Sequence, residues 1–234
     1  MSKLDSHASP LALVRLLQLT SPALPVGAYT YSQGLEWAVE SGRIRNEADA
    51  GEWITDLLVH SIGRFEAPML LHLMHYWSRS EIASVQRLNA DFLASRESAE
   101  LRAETLQMGF SLKRLLADLR DPSLEPMRYL MQDWPDVAFP TVWAGLAALW
   151  GVEPMTAVSG YLWSWAENQV MAALKAVPLG QAAGQRVLAE IGLRIPAVAK
   201  SAMEQPESDW SNFAPAFALC SVQHETQYSR LFRS

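Results

Sequence analysis
Cys220 and His224 stand four residues apart near the end of the chain, and a helix through them puts both side chains on one face. A thiol and an imidazole so placed could touch a soft metal; the competing reading of Cys220 is a small buried hydrophobe. His72 and His75, three apart, form a second pair, but Leu71, Leu73 and Met74 around them suit a partly buried helix face, and no third ligand stands nearby. His224 and Glu225 offer either a weak, transient metal contact or a hydrogen-bonding or partner-contact role. Glu167 and Lys175, eight apart on an otherwise apolar stretch, share a helix face and mark either a lined cavity or an exposed helix end. Gly180 and Gly184, in GQAAG, suit either a phosphate cradle or the close packing of two helices at a turn. In the terminal SRLFRS, Arg230 and Arg233 flank Leu231 and Phe232. A free tail gains nothing from those apolar residues, so docking on a partner or on the body of the protein is expected.

Other chemistry lacks the residues to run it. The chain has no GxxxxGK[ST] loop, no HExxH, no paired CxxC and no GxSxG elbow, so nucleotide-phosphate binding by this chain itself is not expected. A net charge of −6 without a basic stripe argues against nucleic-acid binding. A single cysteine excludes an internal disulfide framework and suits a reducing, cytoplasmic setting. The opening MSKLDSHASP has no apolar run of the kind a signal peptide needs. Half of the residues are hydrophobic and 19% are charged, so apolar side chains must fill a large core or be left for partners. Nine Trp and nine Met favour partners, because both types are enriched at interfaces. Tyr29 and Tyr31, in a Pro-rich loop, suit partner anchors or a loop folded back on its own core.

The elements that must position these residues read as helices throughout. No alternating strand pattern appears, and Ala and Leu dominate. The stretch Pro154 to Val177 is apolar on every side of a helical wheel, as in a helix buried at the centre of a helical protein. Pro154 suits its first turn and Pro178 ends it. Glu167, Asn168, Gln169 and Lys175 interrupt it short of the ~20 apolar residues a membrane span needs. Around it the sequence predicts helices from Pro10, capped by Ser9; from about Ser32 to Ser41; from Asn46, as cap, to about Ser61; from Arg64 to Trp77; from Ser80, as cap, to Ala94; and from Ser95 to Leu119, with charges spaced as on a solvated face. Further helices are expected at Leu124–Trp134, Pro140–Trp150, Gln181–Gln205 and Phe213–Tyr228. The expectation is one all-α domain over residues 1–234, about ten helices around the buried central one, with a flexible N-terminus over about 1–8 and a partner-docking tail over about 224–234.

Four segments, in this order, resemble the UreF family of urease accessory proteins: SPALPVGAYTYSQGLE, ETLQMGFSLKRLL, AVPLGQAAGQRVL and HETQYSRLFRS. The resemblance covers nearly the whole chain and implies an all-helical, non-enzymatic maturation factor. It implies assembly with a UreD (also called UreH) accessory protein and the UreG GTPase, insertion of nickel into apo-urease, and a homodimer in the assembled complex. It also implies a bridge between the other two proteins that couples GTP hydrolysis to nickel delivery. No cofactor is expected to be bound stably, nickel and GTP being handled by the complex. Residue by residue, the resemblance implies a surface for the UreD-like partner at His224, Glu225, Tyr228, Ser229, Arg230, Leu231, Phe232 and Arg233. It implies a GTPase-facing or dimer surface at Tyr31, Gln33 and Glu36, with Lys175 a further contact. Gln181 and Gln185 match the family's PLGQ..GQ pattern, with Ala182-Ala183 between them where members often carry polar residues. Two rivals stand beside the scaffold: a GTPase-activating factor supplying Arg230 or Arg233 in trans, and a nickel carrier.

Overall fold
The computed structural model describes residues 9–234; the loose end expected over residues 1–8 lies outside the described residues. Among the described residues there is no strand, as the all-α expectation requires. The α-helices are α1 (Pro10–Thr20), α2 (Leu35–Glu40), α3 (Glu47–Leu57), α4 (Ala67–Ser78), α5 (Ile82–Ala94), α6 (Ala99–Asp118), α7 (Glu125–Met131), α8 (Phe139–Leu149), α9 (Pro154–Ala176), α10 (Gln181–Glu204) and α11 (Pro215–His224).

The break expected between Ser61 and Arg64 does not exist. α3 and α4 run into one another through a π-helical stretch, Leu58–Glu66, so they form a single rod. Just beyond that stretch, Pro68 has no N–H to give to the Arg64 carbonyl in the α register. That carbonyl accepts instead from the Ser211 main-chain N–H at 3.2 Å and from Gln205 Nε2 at 2.9 Å, both from the loop after α10. Pro196 lies inside α10 without ending it. The residue four before it is Gly192, against which Trp163 of α9 packs.

Of the caps the sequence suggests, Asn46 behaves as expected, Ser9 and Ser80 do not, and Ser98 is a cap the sequence reading did not name. Asn46 accepts from the Asp49 N–H at 3.0 Å, and Ser98 from the Leu101 N–H at 3.1 Å. Ser9 makes no side-chain cap bond. Ser80 is a turn residue in the left-handed region (φ 56°), and Glu81 takes the capping position of α5. The helix expected over Leu124–Trp134 is shorter, a 3₁₀ turn at Pro122–Leu124 followed by α7. The last helix also starts and stops inside its expected bounds.

α9 is central by its neighbours: it packs on α1, α2, α3, α4 and α10. It is not buried all round, since Trp163 and Met171 reach the surface; α8 is the helix whose residues Pro140–Ala147 are buried on every side. The lead into α8 is pinned by Asn89 of α5, whose amide donates to the Asp136 carbonyl and accepts from the Ala138 N–H and the Thr141 hydroxyl. Gly109 of α6 lies against the Val137 carbonyl, 2.0 Å from where a Cβ would stand. Among the described residues no helix is long and apolar enough to cross a membrane.

Candidate functional site
The Pro-rich loop between α1 and α2 turns sharply because two successive residues, Gln33 (φ 54°) and Gly34 (φ 80°), take the left-handed conformation. At Gly34 a Cβ would lie 2.8 Å from the Ser221 main-chain N, so only glycine lets α11 approach. Gln33 is a non-glycine residue held in that region by its side chain. Its Oε1 accepts from Trp165 Nε1 at 2.9 Å and Gln169 Nε2 at 3.3 Å, and its Nε2 donates to Glu104 Oε1 at 2.7 Å. One amide therefore ties the loop to α6 and α9.

The end of the chain folds back onto this loop. The Arg233 N–H donates to the Thr30 carbonyl at 2.8 Å. The Ser234 main-chain oxygen accepts from the Ser32 N–H at 2.6 Å and the Ser32 hydroxyl at 2.5 Å. The two oxygens of Glu36 accept from the main-chain N–H groups of Leu231 and Phe232 at 2.7 and 3.0 Å. Phe232 is buried, with Lys175 Nζ 5.4 Å from its ring centre. Lys175 also lies 3.5 Å from the Tyr29 carbonyl. Beneath the strap, His224 is fully buried between two acids: Nδ1 lies 2.7 Å from Glu100 Oε2 and Nε2 lies 3.2 Å from Glu36 Oε2. Each ring nitrogen thus faces a carboxylate oxygen. Glu100 also accepts from Arg230 at 2.8 Å, and Glu225 accepts from the Ala99 N–H at the start of α6 at 2.8 Å.

A second set of buried charges lies deeper. Glu66 accepts from Arg96 at 2.9 Å and from the Tyr161 hydroxyl at 2.8 Å, while the Arg96 guanidinium sits 4.2 Å from the Phe92 ring centre. Burial, then the adjacent Glu66, holds the Tyr161 hydroxyl well above its ordinary range. Glu104 accepts from Gln33 and, at 3.1 Å, from the Ser234 hydroxyl; burial pushes its carboxyl up to about 7, more than these hydrogen bonds pull it down. Burial and Glu104 raise the Tyr31 hydroxyl, against the Arg233 guanidinium beside it. Next to these groups, between the Pro-rich loop, α6 and α9, opens a cavity of about 170 Å³.

The structure thus brings Tyr31, Gln33, Glu36, Lys175, His224, Arg230, Phe232 and Arg233 into one region. Tyr31, Glu36, His224 and Phe232 are buried there, so in this conformation they hold the chain's own strap rather than present a surface. Tyr228, Ser229 and Leu231 point to solvent. Gln181 and Gln185 are exposed at the start of α10, outside this network. Gly184 packs on Leu174, whereas Gly180 has nothing within 4 Å, so the close-packing reading applies to Gly184 alone. Cys220 is buried and its thiol is pushed up by burial; among the described residues no group of three or more His, Cys, Asp or Glu is placed to hold a metal ion. His72 is half-buried, its ring edge-on to Trp210 at 5.0 Å, and burial lowers it.

Sequence reasoning missed Ser32, Glu66, Glu100, Glu104 and Tyr161. The solvated face read for α6 is corrected: Glu104 is buried, and Arg96, just before the helix, is largely covered where it pairs with Glu66. The available signal was the spacing of Glu100 and Glu104 with Leu101, Thr105, Met108 and Leu112, which puts both acids beside the apolar stripe.

The family model for UreF matches residues 44–192. The chain is 67% identical over 224 residues to the urease accessory protein UreF of Dechloromonas aromatica, covering 96% of this chain and 98% of that one. It is 59% identical over 227 residues to the UreF of an Azoarcus species, covering 96% of each. It is 46% identical over 223 residues to the UreF of Methylobacillus flagellatus, covering 95% of this chain and 98% of that one.

Proposed function
From the premise that this chain belongs to the UreF family of urease accessory proteins, we propose that it is a non-enzymatic scaffold and checkpoint in urease maturation. In this reading it bridges a UreD/UreH-like protein and the UreG GTPase in the cytoplasm, as a homodimer within the complex, and couples GTP hydrolysis to nickel insertion into apo-urease. Nickel and GTP are handled by the assembly.

The observation that carries the reading is the outer face of α1. Ala12, Leu16 and Leu19 pack into the core, yet Leu11, Leu13, Val14 and Leu17 are each half or more exposed. A surface helix normally turns polar residues outward. A row of four large apolar side chains on solvent is the mark of a surface that another protein covers.

Arg230 is paired with Glu100, and Arg233 lies beside Tyr31, so both arginines are engaged by the chain itself. A role for either in trans would need the strap to open first.

The test is urease activation in cells that hold the urease gene cluster without this chain. The full chain is expected to restore activity and urease nickel content. A chain ending after Gln223 is expected to restore neither. Failure of the full chain beside its cognate partners overturns the proposal; equal restoration by the shortened chain removes the strap from it.

A further inference from the structure
The cavity beside Glu104 has apolar walls, with Leu24, Val26, Met108, Phe139 and Met171 among its lining residues, and a charged interior. An apolar cavity of ~150 Å³ holds a benzene molecule, so about 170 Å³ accommodates a four-carbon chain and its head group. Three carboxyl groups line it, Glu66, Glu104 and Glu167, against two cations, Arg96 and Lys175. Arg96 is spent on Glu66 at 2.9 Å. Lys175 sits at the Tyr29 carbonyl and over the Tyr29 and Phe232 rings. Among the described residues neither Glu104 nor Glu167 makes an ion pair. Glu104 is 6% exposed and receives only neutral donors, Gln33 and Ser234. A buried carboxyl with no cation, at one side of an apolar cavity whose rim includes the exposed Pro22, Tyr29 and Met171, is complementary to an alkyl stem that ends in a positive charge.

We infer that this cavity receives the side chain of a lysine presented by a protein partner, its alkyl stem against the apolar walls and its ammonium group at Glu104. The identification of the source as a protein rests on the assembly role proposed above; the recognition of an aliphatic ammonium does not.

The probe is n-butylammonium, which reproduces the lysine side chain, titrated into the full chain and followed by amide and methyl NMR shifts. n-Butanol and butyrate serve as neutral and anionic controls. Saturable shifts at Met108, Met171 and Phe139 are expected with the ammonium, and binding about tenfold weaker with butanol, the difference between a charge-assisted and a neutral hydrogen bond. Glu104→Gln keeps the shape and both neighbours and is expected to weaken the ammonium by about the same factor. Should that variant fail to fold, the pH dependence of the parent replaces it: ammonium binding is expected to strengthen as pH rises through about 7, where Glu104 ionises, while butanol binding stays level. The charged and titratable groups around Glu104, namely Glu66, Arg96, Tyr31 and Tyr161, belong to the π-helical stretch, the lead into α6, the Pro-rich loop and α9. Equal binding of butanol and the ammonium, no binding of either, or unchanged affinity in Glu104→Gln overturns the inference. Each of these leaves the urease-activation result, and with it the assembly role, standing.

Discussion

His224 and Glu36, 188 positions apart in the chain, meet at 3.2 Å inside the protein, and the same carboxylate holds the main chain of Leu231 and Phe232. The pair joins α2, α11 and the terminal strap, and Glu100 closes it from α6 at 2.7 Å. Removing the ring takes away the donor that these two acids share, leaving Glu36 with the Leu231 and Phe232 N–H groups and Glu100 with Arg230. His224→Ala is therefore expected to cost about 1–3 kcal/mol, the range for leaving buried polar groups short of a hydrogen bond. Urea denaturation gives the number. A loss under ~1 kcal/mol would mean that water replaces the ring and that the pair does not organise this region.

The strap gives a second expectation. Its main chain is held by hydrogen bonds to Glu36, Thr30 and Ser32 rather than by side-chain fit, except at Phe232, which is buried. Phe232→Ala removes that anchor, and Glu36→Gln leaves a single neutral oxygen to accept while its NH2 faces the other main-chain donor. Both variants are expected to expose Arg230 to trypsin about tenfold faster than in the parent, because cleavage follows the population of the locally open form. Protection unchanged in both variants would show that the strap is held by something other than these contacts.

A third expectation concerns pH. The folded protein raises the Glu104 carboxyl from 4.5 to about 7. A group raised on folding favours the protonated form in the native state. Its contribution is fully present below about 4.5 and is lost as pH rises to about 7, after which the loss is constant. Glu104→Gln, which stays neutral, should gain on the parent across that window, by up to about 3 kcal/mol. The comparison is the difference in urea midpoint between the two proteins at about pH 5 and about pH 8. A difference that does not change with pH would place the Glu104 carboxyl near its ordinary range.

The helices were legible in the sequence because their signals are local: Pro10 and Pro154 open helices, Pro178 closes one, and Asn46 caps α3 as its position suggests. The continuous rod through Ser61–Arg64 was not legible, because the carbonyl freed by Pro68 is satisfied by Gln205 and Ser211, far away in the chain. The site was partly legible. Glu36, Gln33, His224 and the SRLFRS segment are distinctive in sequence, and the structure brings them together. Glu104 and Arg96 read as surface charges, since nothing in their neighbourhood along the chain announces a buried partner on another element. The suggestion of a lined cavity from Glu167 and Lys175 was sound because two charges on an apolar face must end somewhere, and both line the same cavity.

Two glycines should respond oppositely to a methyl group. At Gly109 a Cβ would stand 2.0 Å from the Val137 carbonyl, which is backbone and cannot yield locally. At Gly51 the nearest atoms are Val187 methyls at 3.8 Å, an ordinary contact. Gly109→Ala is expected to cost ~3 kcal/mol or more through overpacking. Gly51→Ala is expected to stabilise α3 by about 0.5–1 kcal/mol. Thermal denaturation of the two variants decides, and equal effects would contradict the close approach of α6 to the segment before α8.

The outer row of α1 separates stability from function. Leu13 and Leu17 are half or more exposed, so an acidic side chain there displaces no core packing. Leu13→Glu together with Leu17→Glu is expected to shift folding stability by no more than about 0.5 kcal/mol per site. The same pair puts two charges into any interface built on this row, and desolvating an unpaired charge costs several kcal/mol. Urease activation in cells is therefore expected to fall at least tenfold while the variant accumulates to the parent's level. Co-purification with the other accessory proteins then shows whether assembly is the step that fails. Full activation by the double variant would move the partner surface away from α1, leaving the strap and the cavity as the remaining candidates.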